Sequence, residues 1–340
     1  MPTENNLPTR DNVLAKNNVQ TEKNISKRTA VLIVILVLSL GMNVFLFLRG
    51  GSITGGSIFS ESFKYVHPIN ASPIDSNSNS QETALILHYQ GLKEILEGEI
   101  KNSNVGGKVG IFIQDTKTGS WIGINEKEGF APASLLKIPI MMAILKKVQH
   151  EKINLDDKVT IVQQDLDAKY GKVYERGVGA EFTISELMEE MIAASDNTAK
   201  NALKRQLSPT EIDSVFTHVG IPDPYLTNNN QTVSPRGYTR LFKSLYFSTF
   251  LSPKLSELAL ELTTDGLDEN LISEGIPTEV QVSHKFGITG SVLHDCGVVY
   301  HPKNSYFICV MTKDIEFSKS QELIKSISRD TYNFINEKSL

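Results

Sequence analysis

The sequence predicts an α+β fold, in which strands from both ends of the domain build one antiparallel sheet flanked by helices, beside an all-helical lobe. Three observations carry that expectation. Strand-like runs occur early, at "KVGIFIQD" (108–115) and "SWIGINE" (120–126). They return late, at "VQVSHKFG" (280–287), "HDCGVVY" (294–300) and "SYFICVMTK" (305–313). Between about 183 and 263 the apolar residues recur at helical spacing instead.

Taken in chain order, residues 1–28 read as a polar cytoplasmic tail. Residues 29–48, "TAVLIVILVLSLGMNVFLFL", contain no charge and match the hydrocarbon thickness of a bilayer, so they predict a single transmembrane signal anchor. A cleaved signal peptide fits less well, because the preceding segment is long and polar and no A-x-A-like site follows. Lys23, Lys27 and Arg28 precede the span, and after Arg49 comes an uncharged Gly/Ser stretch. The excess of positive charge on the N-terminal side keeps that side in the cytoplasm and places the rest outside, on the cell membrane. Residues 49–81 are rich in Gly, Ser and Asn and read as a flexible linker, because such a composition buries too little apolar surface to order itself. The globular domain is then 82–340.

Within it, "ETALILHYQGLKEILEGEIKN" (82–102) has the period of a helix. A "TKTG" turn joins the two early strands. A helix starting near Pro132 follows, and Pro139 is expected to bend it. "TISELMEEMIAAS" (183–195) opens with Thr183 and has Glu186 three residues on, a capping box before an apolar face. Further helices are expected at about 196–206, 209–218, 235–247 and 253–263, with a last one at about 317–337. The "HPKN" loop (301–304) sets the register of the final two strands, pairing Tyr300 with Ser305 and Cys296 with Cys309. Opposed Cβ atoms lie about 4.5–5.5 Å apart, slightly wide for a disulfide, so close but reduced thiols are expected.

Composition excludes several functions. A net charge of −5 leaves no basic footprint for nucleic acid. Two cysteines make neither a disulfide framework nor a Cys-rich zinc site. The seven histidines show no H-x-H or H-x-x-x-H spacing, so no metal or other cofactor is expected. No repeat of solenoid length is visible.

The chemistry sits at the joints of this architecture. In "APASLLKIPIMMAILKK" (131–147), Ser134 and Lys137 interrupt an apolar run at a spacing that puts them on one face of a helix. Alone, this pair also fits a capping serine and a solvated lysine. Ser195-Asp196-Asn197 falls between two helices, where it also reads as a cap, and Lys285-Phe286-Gly287 ends a late strand. S-x-x-K, then S-D-N, then K-T-G is the ordered set of class A β-lactamases and penicillin-binding proteins. On these motifs, and on "YGKVYERGVGAEFTISELMEEMIAASDNTAKN" and "HKFGITGSVLHDCGVVY", the chain resembles the serine β-lactamase and penicillin-recognising superfamily, class A most closely, over roughly 82–340.

The resemblance implies roles. Ser134 is the nucleophile and Lys137 its base, which must be neutral to act; burial among Leu135, Leu136, Ile138 and Met141, with Lys285 as a second cation, pushes it that way. Ser195 passes a proton to the leaving nitrogen. Backbone N–H groups of Ser134 and Ile288 form the oxyanion hole. Asn197 holds the substrate's side-chain amide, Lys285 attracts its carboxylate, Gly287 belongs to the same substrate-binding strand, and Tyr170 walls the cleft. A Ser-His-Asp triad from His284, His294 and Asp295 is the poorer reading, since Ser134 has a better-placed base. Two departures stand out. Phe286 occupies the position of the usual hydroxyl, a loss that Thr289 would have to make good. The family's deacylating glutamate has no counterpart in the shortened stretch "HVGIPDPYLTNNNQTVSPRG" (218–237), whose one acid is Asp223.

Three functions follow as expectations: a membrane-anchored, monomeric β-lactamase-like hydrolase linked to antibiotic resistance; a D,D-carboxypeptidase or transpeptidase acting on D-Ala-D-Ala-type cell-wall peptides; or a penicillin-recognising binding module with little turnover.

Overall fold

A computed structural model describes residues 64–66, 79–221, 232–264 and 271–338. The expected membrane span at 29–48, the tail at 1–28 and Asp223 lie outside the described residues. Among the described residues no helix is long and apolar enough to cross a membrane.

Helix α1 (Asn79–Asn102) leads into β1 (Lys108–Asp115) and β2 (Trp121–Ile124). Three late strands follow the helical middle: β5 (Val282–Thr289), β6 (Val292–Val299) and β7 (Tyr306–Lys313). All neighbours in the five-stranded sheet are antiparallel, in the order β2-β1-β7-β6-β5. The expected joining of the domain's two ends is therefore the central β1–β7 pair.

Both faces of the sheet are covered, which is why its strands read as nearly continuous apolar runs. Alternation along β7 sends Tyr306, Ile308 and Val310 to one core and Phe307, Cys309 and Met311 to the other. The first core is closed by Leu92 and Leu96 of α1 and by Leu323, Ile324 and Ile327 of the last helix, α8 (Phe317–Lys338). The second joins the helical lobe.

That lobe contains α2 (Lys137–Gln149), α3 (Ile184–Ala193), α4 (Asn197–Lys204), α5 (Pro209–His218), α6 (Pro235–Tyr246) and α7 (Pro253–Leu262). The Thr183 capping box forms as expected: Glu186 N–H donates to Thr183 Oγ1 at 3.1 Å, and Thr183 N–H to Glu186 Oε2 at 2.7 Å. A two-stranded ribbon of β3 (Lys158–Thr160) and β4 (Glu181–Thr183) was not expected.

Three expectations need correction. Ser134 lies in a 3₁₀ turn, Ala133–Leu136, and the α-helix begins only at Lys137. Pro139 is then the third residue of that helix, where its missing N–H removes no intrahelical bond, so the reason for a bend disappears. Cys296 does face Cys309, as the register required, but the two are joined as a disulfide. The Cα atoms of the bridged pair are 3.9 Å apart.

Candidate active site

The turn bearing Ser134 is built to a tight tolerance. Ala133 has φ +50°, the left-handed region that non-glycine residues seldom occupy. Leu135 is fully buried, its N–H donates to Pro132 O at 3.0 Å, and its carbonyl accepts from the Tyr238 hydroxyl at 2.9 Å. The turn packs on β5 at Gly287, where a Cβ would stand 3.0 Å from Pro132 O and 3.3 Å from Leu135 N. A side chain there would push the strand and the nucleophile apart, which gives the glycine of the third motif its physical reason.

His294 pins the approach to the same turn. Its Nε2–H donates to Ala131 O at 2.8 Å, and its Nδ1 accepts from Thr312 N–H at 3.3 Å. Burial holds this imidazole down to about 4, so it stays neutral. His284 Nδ1 lies 2.8 Å from Asp295, which also accepts from Ile272 N–H at 2.9 Å. Both side chains are buried in contacts that tie β5 to β6 and to residue 272. None of the three joins Ser134, and the triad reading is dropped.

Lys137 is 1% exposed, and its Nζ is 3.2 Å from Ser134 Oγ. The same nitrogen donates to Ser195 Oγ at 2.8 Å and to Ser195 O. Burial first, then the charges of Lys285 and Lys200, push its pKa down to about 6 against the pull of Asp196 and Asp167. A neutral amine has two N–H groups and one lone pair. With Ser195 taking both N–H groups, the lone pair is left for the Ser134 hydroxyl proton.

Ser195 is buried and has φ +51°. Asp196 behind it is the N-cap of α4: its Oδ1 accepts from Ala199 N–H at 2.7 Å and its Oδ2 from Val173 N–H at 2.9 Å. The S-D-N triplet is thus both a cap and part of the site. Gly171 presses on this carboxylate with φ +82°, and a Cβ there would fall 1.9 Å from Asp196 Oδ2. The neighbouring Tyr170 accepts at its carbonyl from Asn197 N–H at 3.1 Å and leaves its side chain exposed. Asn197, half-buried, also reaches Asp167. Against the cost of burial, Lys169 N–H and the Asn197 side chain hold the Asp167 carboxyl below its usual range.

Lys285 is fully buried and, among the described residues, its Nζ has no hydrogen-bond partner. The nitrogen lies 4.1 Å from the centre of the Phe286 ring. Burial pushes this lysine down to about 7, with Asp295 partly opposing. Ile288 follows Gly287 on β5, and its side chain packs into the core beneath α1 and α8. Thr289 is exposed at the strand's end. Beyond residues 222–231, Val233 and Phe130 exchange two main-chain bonds of 2.9 Å. The stretch that lacks a glutamate is therefore fastened four residues before Ser134.

The three motifs thus converge on one buried cluster, with an amine placed to deprotonate a serine and a second cation close by. Sequence reasoning missed Tyr238, Asp167 and the supporting role of His294, because only tertiary packing brings them to the site.

A family model described as the beta-lactamase enzyme family matches residues 90–335. A β-lactamase of Rhodobacter capsulatus is 28% identical over 252 residues, covering 68% of this chain and 85% of that protein. Beta-lactamase BRO-1 of Moraxella catarrhalis is 27% identical over 268 residues, covering 72% and 84%. Among solved structures, one described as PBP-A superposes with a TM-score of 0.67 at 24% identity, covering 73% of this chain and 96% of that one. An ancestral class A β-lactamase superposes with a TM-score of 0.64 at 25% identity, covering 71% and 99%.

Proposed function

The chain belongs to the β-lactamase enzyme family, and from that premise we propose that it is a class A-like serine β-lactamase, anchored through residues 29–48, that acylates readily and deacylates slowly. One observation carries the reading: the buried amine of Lys137 stands 3.2 Å from Ser134 Oγ with its pKa pushed down to about 6.

In the proposed reaction, neutral Lys137 takes the proton from Ser134 as the oxygen attacks the β-lactam carbonyl carbon. The N–H groups of Ser134 and Ile288 receive the developing oxyanion. The proton passes from Lys137 to Ser195, 2.8 Å away, and on to the ring nitrogen as the C–N bond breaks. Lys285 draws the substrate carboxylate, Asn197 its side-chain amide, and Tyr170 walls the cleft. Water must then cleave the ester on Ser134, and the stretch 218–237 offers no glutamate to activate it.

That same lack favours a second reading, a D,D-carboxypeptidase or transpeptidase, whose substrate brings an amine acceptor or positions its own water. Mass spectrometry after exposure to a penicillin tests the common step. The adduct should lie on the tryptic peptide "EGFAPASLLK" (128–137), and an adduct that survives Ser134→Ala rejects the nucleophile. No adduct at all would leave only a non-covalent binding module. Hydrolysis of a chromogenic β-lactam against release of terminal D-alanine separates the two enzymes.

A further inference from the structure

Residues 64–66 fall within the stretch whose composition reads as linker, yet they are held against the body of the domain. The N–H groups of Lys64, Tyr65 and Val66 all donate to the carboxylate of Glu257 on α7. Lys64 reaches Oε1 at 2.6 Å, Tyr65 reaches Oε1 at 3.0 Å and Oε2 at 2.9 Å, and Val66 reaches Oε2 at 2.9 Å. Successive amides converging on an anion form the kind of nest that backbone offers to phosphates, and here a distant side chain fills it. Bonds to an ionised acceptor are also the stronger kind.

The side chains are buried as well. Tyr65 and Val66 are 7% and 5% exposed and belong to the core that joins the sheet to the helical lobe. The Tyr65 ring meets Tyr300 edge-on at 5.4 Å, and its hydroxyl accepts from Gln281 Nε2–H at 3.4 Å. Ser283 of β5 donates to Leu260 O on α7 at 2.9 Å and lies 3.1 Å from the Tyr300 hydroxyl. The contact area is therefore where α7 meets the start of the strand that carries Lys285. The compact unit that holds the domain starts at Phe63, upstream of α1.

We propose that Lys64–Val66 is a strap, the resident occupant of the surface formed by α7, Gln281 and Tyr300. The folded unit therefore includes this strap, well upstream of α1. The docking does not depend on the anchored reading.

Hydrogen exchange on the full chain, read by mass spectrometry, tests the strap without any substrate. The peptide holding the 64–66 amides should exchange slowly in the wild-type chain. It should exchange about tenfold faster or more in Glu257→Ala, the scale for losing bonds to a charged group, and likewise in Tyr65→Ala. Tyr65→Ala leaves α7 untouched, and unchanged exchange in β1 and β7 shows that the domain's fold persists. Fast exchange of 64–66 in the wild-type chain overturns the proposal, as does protection that survives both substitutions.

Discussion

At Lys137 the cost of burial and the charge of Lys285 act in the same direction, and together they make the amine a base at neutral pH. The sign of the pH dependence follows. Lys137 works when deprotonated, so acylation should rise as pH climbs through about 6. Lys285 attracts a carboxylate only when protonated, so capture of an anionic β-lactam should fall as pH climbs past about 7. Acylation kcat/KM should then be bell-shaped, with both limbs belonging to the free enzyme. Lys285→Ala should remove the falling limb. It should also move the rising limb to higher pH, because Lys137 would hold its proton more tightly without a cation beside it. A profile that keeps its falling limb in Lys285→Ala would assign that limb elsewhere. Lys137→Ala should cost acylation at least about a hundredfold, the usual scale of losing a general base. A smaller loss would reduce Lys137 to a packing role.

Among the elements, the proposed slow turnover rests on the stretch 218–237 and its lack of a glutamate. Val233 fastens its return beside Phe130, four residues before the nucleophile. It carries one acid, Asp223, on a short side chain between Pro222 and Pro224, which restrict the backbone on either side. Losing a positioned base costs roughly 10²–10⁴-fold in the step it serves. Stopped-flow mixing with a chromogenic β-lactam should show a stoichiometric burst of ring opening followed by slow turnover. A steady rate as fast as the burst would refute this, and its loss in Asp223→Ala would make Asp223 the base. Elements with local signals were legible: the capped helix after Thr183, the helix at 209–218, and the register that sets Cys296 against Cys309. The rest depended on tertiary contacts. Three-residue strands such as β3 and β4 are too short to show a period. The 3₁₀ turn at Ser134 is imposed by β5 packing at Gly287, and the strap at 64–66 is held by a carboxylate on α7. No local pattern encodes either.

The whole molecule combines a folded unit whose sheet joins both ends of the domain with an apolar segment far upstream at 29–48. If that segment spans a bilayer, the orientation of the catalytic unit is set by the charges around it. Lys23, Lys27 and Arg28 lie just before the span, while after Arg49 no further positive charge occurs until Lys64. Positive residues are retained on the cytoplasmic side, so Phe63 onward should emerge on the outer face. An outward site would also meet the β-lactams and cell-wall peptides of the proposed function, so the charge rule and that proposal favour the same arrangement. A broad-specificity protease added to intact cells should cut between Arg49 and Lys64 and release a fragment that still contains the strap. Edman or mass-spectrometric reading of the new N-terminus would place the cut. Protection of the chain until the cells are lysed would reverse the topology. A released fragment that begins at the start of α1 would mean instead that the strap is not held, so one digestion reads both the direction of insertion and the true start of the folded unit.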